Sequence, residues 1–295
     1  MNKEPSCGLY ADPMIYDILY TPGTWREINA LERIEAEFAR RLGQRLDSDR
    51  LWFEPACGSG RYLRTAARRG RRIAGYDIDP AMLDYARKRG TRMGNSTLQI
   101  FQADMADFQN PAKAVGIPTR GVDFAFNPVN SIRHLKSDGE MLNHFEQMAA
   151  LLRPGALYVV GLSLTDYKEL QPEEDYWTGT RGRCRVNQLV NYLPPEQGVK
   201  LGRSKQLERV ISHLTVERNR GTVDHFDHAY DLRCYDRRQW STLIRKSALD
   251  LVGSFDALGR PAPDHLLPYQ LDVLVKNEGD PIGNRSINPM GTATA

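Results

Sequence analysis

From Thr24 the run TWREINALERIEAEFARRLG sets Ile28, Leu31, Ile34, Phe38 and Leu42 at spacings of three and four, the stripe of a helix that buries one side. Thr24 is placed to cap this helix and Gly43 to end it. Further on, short apolar runs alternate with helical ones. They are RLWFEPA, a helix from Gly60 to Arg69, RRIAGYD, a helix from Pro80 to Arg87, LQIFQAD, VDFAFNPV, a helix from about Gly139 to Leu152, and GALYVVGLSL. The alternation resumes near the end with RRQWSTLIRKSAL, DLVGSF and YQLDVLVKN. Strands and helices in this order predict an α/β fold on a doubly wound, largely parallel sheet.

Between Thr165 and Asp236 the helical period disappears. GRCRVNQLVNYL, QLERVISHLTVERN and TVDHFDHAYDLRCY follow one another, with Pro194-Pro195 and Arg220-Gly221 as turn signals. The pattern predicts an antiparallel β insertion. The expected organisation is therefore a main domain over 1–164 and 236–278, a β-rich insertion over 165–235, and a polar, Gly- and Pro-rich tail over 279–295.

Composition adds exclusions. A chain of 295 residues, 41% hydrophobic, can bury a substantial core. Its net charge of +3, from 40 basic and 37 acidic residues, is too even to demand nucleic acid or an anionic membrane as partner. Cys7, Cys57, Cys184 and Cys234 lie far apart with no C-x-x-C pair, so neither a zinc site nor a disulfide framework is expected, and a reducing cytoplasm fits. On a strand, the His225 and His228 of DHFDH point to opposite faces, which argues against a metal. No stretch reaches the roughly 20 apolar residues that span a bilayer, and the first residues lack an export signal, so a soluble protein is expected.

Candidate chemistry begins at LWFEPACGSGRYL. Gly58, Ser59 and Gly60 cannot anchor a core, and they follow the first strand, where open α/β sheets bind ligands against bare backbone. A pyrophosphate fingerprint is absent, since position 63 is Leu63 and no Walker lysine follows. Three successive strands end in Glu54, Asp77 and Asp104, an acidic rim that repels a diphosphate and suits a ribose ligand bearing positive charge. The basic run from Arg61 to Arg72, with no interleaved aromatic beyond Tyr62, is read as a solvated helix face in preference to an RNA-binding one.

FEPACGSGRYL, GYDIDPAMLDYAR, FQADMADF and LLRPGALYVV, in this order between Leu51 and Leu164, resemble the class I S-adenosylmethionine-dependent methyltransferases. The resemblance implies a Rossmann-like sheet and S-adenosyl-L-methionine as cofactor. It places Glu54, Ala56, Cys57, Gly58 and Gly60 at the methionine part, Asp77 at the ribose, and Asp104 with Met105 at the adenine. Tyr16, Ile78 and Asn127 join them as cofactor-binding candidates, and Ala56 stands where the family often has a glycine.

For the acceptor, NSIRHL from Asn130 to Leu135 resembles small-molecule N-methyltransferases of the glycine and sarcosine type. YDILY, ISHLTV and HFDHAYDLRCYDRRQW resemble the nucleotide-amino-sugar N,N-dimethyltransferases. Asn127-Pro128 is similar to the start of an N-P-P-aromatic motif, but Val129 and Asn130 replace its last two positions. These likenesses imply a small acceptor held under the insertion, with room left for a homodimer. An amine acceptor needs only to be neutral; a hydroxyl needs a base, for which His134 is the candidate unless it is a structural histidine. Asn130 either orients the acceptor or closes an Asx turn. Tyr16 and Tyr20, one helical turn apart, either lid the sulfonium with aromatic faces or form a packing stripe; His134, Asn130 and Tyr20 are the catalytic candidates. Arg181, Arg183 and Arg185 alternate, so on one strand they share a face that can clamp an anion. The expected function is N-methylation of a small anionic amine. O-methylation with His134 as base, methylation of RNA or protein, and a silent cofactor sensor are the alternatives.

Overall fold

The computed structural model describes residues 9–43, 45–47, 49–92, 98–195, 206–218, 221–262 and 269–276. The tail expected over 279–295 lies outside them. The chain runs α1 (Pro13–Tyr20), α2 (Thr24–Leu42), β1 (Leu51–Glu54), α3 (Arg61–Arg68), β2 (Arg72–Asp77), α4 (Pro80–Arg92), β3 (Gln99–Gln102), α5 (Gln109–Ala114) and β4 (Val122–Asn127). A 3₁₀ turn (Ser131–His134), α6 (Asp138–Leu151) and β5 (Leu152–Ser163) follow. Four long strands come next: β6 (Glu173–Arg181), β7 (Cys184–Leu193), β8 (Leu207–Glu217) and β9 (Val223–Arg233). The chain then returns through α7 (Arg237–Arg245), β10 (Leu249–Phe255) and β11 (Tyr269–Lys276).

Seven strands form one sheet in the order β10-β11-β5-β4-β1-β2-β3, parallel from β5 to β3 and antiparallel at β11. This is the Rossmann-like sheet the sequence predicted. β1 and β4 are buried along their whole length, because strands covered on both faces must be nearly continuous in apolar residues. Trp52, Phe124 and Phe126 pack on one face with Ile34 of α2 and Leu63 of α3, while Phe53 and Ala125 pack on the other with Phe145 and Met148 of α6. Each of the larger side chains contributes about 1.5–3 kcal/mol on burial, so these strands fix the centre of the molecule. The order reverses between β1 and β4, which opens a crevice at their carboxyl ends.

β6, β7, β8 and β9 form a separate antiparallel sheet in sequential order. Helix α1 lies on it through Ile18 and Leu19, packed with Val186 and Leu214. Contact is close at Gly179, where an added Cβ would fall 2.2 Å from the Ile18 carbonyl oxygen.

Several local expectations change. Thr24 does not cap α2; Gly23 occupies the cap in a left-handed conformation, and the Thr24 hydroxyl turns back to donate to the Thr21 carbonyl at 2.8 Å. Gly43 does end the helix, in the left-handed region at φ 63°. Helix α4 runs on to Arg92, and α5 and β6 were not anticipated. β6 is an edge strand with most of its residues exposed, so it lacks the apolar alternation that marks a half-buried strand. The basic run is a solvated face only in part, at the exposed Arg68, Arg69 and Arg72. Arg61 and Arg64 are buried and paired with Glu27 and Asp17, and Arg69 and Arg71 pair with Glu32.

His144 of α6 is fully buried and joins the core to the β3 end of the crevice. Its Nδ1 lies 2.9 Å from the Met105 carbonyl and its Nε2 lies 2.8 Å from the Tyr158 hydroxyl, so Nδ1 carries the proton and donates while Nε2 accepts. Burial pushes its pKa down to about 4, although the bond to Met105 opposes the change. The unfolded chain, titrating near 6.5, then binds more protons between pH 6.5 and 4, and stability falls as pH falls through that window. The loss at pH 4 is expected to approach about 3 kcal/mol from this group. Thermal denaturation across pH should show a shallower acid slope in His144→Phe than in the wild type; parallel slopes would remove His144 as the cause.

Candidate active site

The loop after β1 wraps tightly because β1 ends at a buried acid and α3 starts at Arg61. Ala56 holds φ 51° and Gly58 also φ 51°, both left-handed. A non-glycine residue pays roughly 1–2 kcal/mol there, so Ala56 marks strain at the position where the resembled family carries glycine. At Gly58 an added Cβ would approach the Tyr16 ring at 3.5 Å, which shows how closely α1 covers the loop. The Gly58 N–H donates to Asp77 Oδ2 at 2.7 Å, and the Asp79 N–H donates to Asp77 Oδ1 at 3.0 Å. Burial raises the Asp77 pKa despite these bonds.

Glu54 is 3% exposed, and its Oε2 has no hydrogen-bond partner. Burial raises its pKa well above the usual carboxylate value, against the opposing pull of Arg61. Asn127, at the end of neighbouring β4, donates through Nδ2 to the Pro55 carbonyl at 2.9 Å, and its buried Oδ1 also lacks a partner. Buried acceptors without donors are costly, so two of them at the carboxyl ends of β1 and β4 fit a ligand that brings N–H groups. The ammonium of S-adenosylmethionine is such a donor.

Glu54, Ala56 and Cys57 line one cavity with Tyr16, Tyr20, Asn130 and His134. Gly58, Asp77, Ile78 and Met105 line an adjoining hollow that again reaches Tyr16 and His134, and Asp104 lies on its far side with Met105. Gly60 caps α3 and sits outside these walls. The Tyr16 and Tyr20 rings lie 4.8 Å apart, and the Tyr20 hydroxyl donates to Gln188 Oε1 at 2.8 Å, which ties α1 to β7. Tyr10, Arg61, Trp177, Tyr192 and Tyr230 also line the cavity, and nothing in the sequence marked them for this role. Their positions, before α1 for Tyr10, in α3 for Arg61 and in the second sheet for the other three, carry no short-range motif.

Two catalytic candidates change character. Both polar atoms of the Asn130 side chain face Ser163 of β5: Oδ1 accepts its N–H at 2.7 Å and Nδ2 donates to its hydroxyl at 3.2 Å. Val129 and Asn130 hold φ 61° and 62°, so the Asn130 side chain pins a strained turn to β5. The His134 ring opens onto the cavity, stacked 5.4 Å from the Tyr230 ring and 3.5 Å from the Tyr10 hydroxyl. Burial, with the charge of Arg133, lowers its pKa to about 4. A base that weak holds an alcohol proton poorly.

The arginine clamp does not form. Arg181 ends β6 and Cys184 begins β7, so Gly182-Arg183 is the turn of a hairpin, and Arg185 lies on the next strand opposite Thr180. Alternation in sequence becomes separation across a turn. Arg181 donates to Asp17 Oδ2 at 2.7 Å and to the Tyr85 hydroxyl at 2.8 Å, and Arg183 and Arg185 are exposed away from the cavities.

Residues 53–155 match the family model described as a methyltransferase domain. That stretch of the chain is a methyltransferase domain. Solved structures similar to this methyltransferase include Streptomyces venezuelae DesVI, at 19% identity and TM-score 0.65, covering 89% of this chain and 97% of that one. The sugar N-methyltransferase KedS8 from Streptoalloteichus sp. aligns at 19% identity and TM-score 0.64 over 94% of this chain and 96% of its own. A Clostridium acetobutylicum S-adenosylmethionine-dependent methyltransferase aligns at 12% identity and TM-score 0.64, covering 84% and 91%. At these identities the likeness is one of fold. Comparison with curated proteins gave no match. Among the described residues no helix is long and apolar enough to cross a membrane.

Glu54 gives this methyltransferase a test by calorimetry. An ammonium beside its carboxylate favours the ionised form, so affinity for S-adenosylmethionine should weaken as pH falls through the raised Glu54 pKa, with protons released on binding. Glu54→Gln should lower affinity by at least about tenfold and flatten that pH dependence, as expected for a lost charge-assisted bond. Unchanged affinity at every pH would place the ammonium elsewhere.

Proposed function

We propose that this methyltransferase N-methylates a small amine-bearing acceptor. One observation carries the reading: the cavity holding Glu54 and a second cavity against β6, β7 and β8 share Tyr62, Pro128, Val129, Asn130, Trp177 and Tyr192. Donor and acceptor would meet over the strained Val129-Asn130 turn. The second cavity has a volume of ≈ 380 Å³, within the usual range for small-molecule sites. The likeness to a structure described as a sugar N-methyltransferase supports an acceptor of that size.

S-adenosylmethionine supplies an electrophilic methyl on a sulfonium, displaced in line to leave a thioether. Glu54 holds the ammonium of the methionine part, and Asp77 accepts from the ribose hydroxyls. The phenols of Tyr10, Tyr16 and Tyr20 remain protonated, since burial raises all three pKa values, and their rings wall the reacting centre from water. Their faces attract positive charge at the sulfonium. The chain's share of the work is closeness and exclusion of water.

His134 favours nitrogen over oxygen as the target. With its pKa near 4 it is a poor acceptor for a hydroxyl proton, whereas a neutral amine attacks without a base. The anionic acceptor expected from Arg181, Arg183 and Arg185 loses its support once those residues leave the cavity.

Release of S-adenosylhomocysteine with a pool of amino sugars and amino acids tests the reading. The rate should rise with pH through the acceptor amine's own pKa, because only the neutral amine attacks. His134→Asn should keep that profile and lose less than about tenfold, whereas a general base would be worth 10²–10⁴. Loss of that size, with hydroxyl compounds as the accepted substrates, would replace this reading with O-methylation.

A further inference from the structure

The second cavity is chemically one-sided. Its walls include four carboxylates, Glu27, Glu173, Asp175 and Glu208, against the single guanidinium of Arg133. Arg133 donates to Glu208 at 2.8 Å, and Glu27 is paired with Arg61. Among the described residues Glu173 and Asp175 have neither an ion pair nor a hydrogen bond to their carboxylates, so the cavity keeps an excess of two negative charges.

The same wall is aromatic. Glu173, Asp175 and Trp177 alternate along β6 and all three line the cavity, so they share the strand face turned toward it. Tyr192 lies directly opposite Glu173 on β7, and Tyr62 contributes a further ring. Aromatic faces attract cations as carboxylates do, through the ring quadrupole instead of a formal charge. Two independent features of the wall thus select the same sign of ligand. Trp177 also lines the cofactor cavity, and Asp175 lies two residues beyond it, roughly 7 Å along the strand. That is about the width of one sugar ring.

We infer that the acceptor is at least a dication when fully protonated: beside the amine that is methylated it carries a second ammonium, held by Asp175 and Glu173 beside Trp177 and Tyr192. The inference rests on the methyltransferase reading and deepens it. The reacting amine loses its proton to solvent, its lone pair forms the N–C bond as the C–S bond breaks, and the proton left on the new secondary ammonium also goes to solvent. The second ammonium keeps its charge throughout and fixes the register of the molecule. A nucleoside diphosphate on the acceptor would bring negative charge to a negative wall, so the acceptor class is a free or glycosidic diamine and not a nucleotide-linked one.

The test is calorimetric titration of the full-length protein saturated with S-adenosylhomocysteine. The probes are a diaminohexose, the matching monoaminohexose, and that monoaminohexose on a nucleoside diphosphate. The diaminohexose should bind about tenfold tighter than the monoaminohexose, with the advantage shrinking as salt is raised. Glu173→Gln combined with Asp175→Asn should erase the advantage while S-adenosylhomocysteine affinity stays unchanged. Absence of a diamine advantage in the wild type, its survival in the double variant, or tighter binding of the nucleotide-linked sugar would each overturn the inference. Failure of S-adenosylhomocysteine to bind would instead remove the methyltransferase reading beneath it, so the two failures are read from different titrations.

Discussion

The carboxylate of Asp17 is 0% exposed and joins four parts of the chain. It accepts from the Ser59 hydroxyl at 2.8 Å in the cofactor loop, from Arg64 of α3, from Tyr85 of α4 at 3.0 Å, and from Arg181 at the β6 hairpin at 2.7 Å. Burial alone would raise its pKa, but Arg64 and Arg181 hold it below the usual carboxylate value. Its stabilising share is therefore present above the unfolded value and is lost as pH falls through the lower folded one. Removing one partner of such a buried pair costs about 3–5 kcal/mol, because the other charge is left in a dry interior. Asp17 sits on α1 beside Tyr16 and one turn before Tyr20, so the bonds that anchor the helix also set the aromatic wall over the cofactor loop.

That anchoring explains why the two sheets make one site. Helix α1 packs Ile18 and Leu19 against Val186 of β7 and Leu214 of β8, and reaches the Rossmann-like domain through Asp17, bonded to the cofactor loop, α3 and α4, and through the Tyr16 contact to the loop. Arg181 completes the span from the second sheet. The residue read as part of an anion clamp therefore serves the frame.

The central sheet was legible because its signals are local. Periodicity in α2, the apolar runs of β1 and β4, and acids closing three successive strands each occupy a few adjacent positions. The cofactor loop followed for the same reason. What escaped depends on partners far away in sequence. Arg61 and Arg64 read as solvated because Glu27 and Asp17, which bury them, belong to other helices. Strand β6 read as nothing because an exposed edge strand needs no apolar alternation. The arginines of TRGRCR alternate perfectly, yet a hairpin turn at Gly182 cancels what alternation means on a straight strand.

Strain and charge divide the site between its two cavities. The left-handed Ala56, Val129 and Asn130 cost stability, and the surroundings that hold them are specific: the Tyr269 hydroxyl accepts the Val129 N–H at 3.1 Å, and Ser163 takes both ends of Asn130. Such fixed backbone suits a displacement in which closeness is the main contribution of the protein. The charge pattern adds a second constraint. Glu54 at one cavity and Glu173 with Asp175 at the other are all carboxyl groups, so each compartment suits a cationic ligand better than the anionic ones that a Rossmann-like crevice often holds. Placing Tyr62, Trp177 and Tyr192 where the cavities join puts polarisable aromatic faces between those groups, a surface that tolerates positive charge on either side.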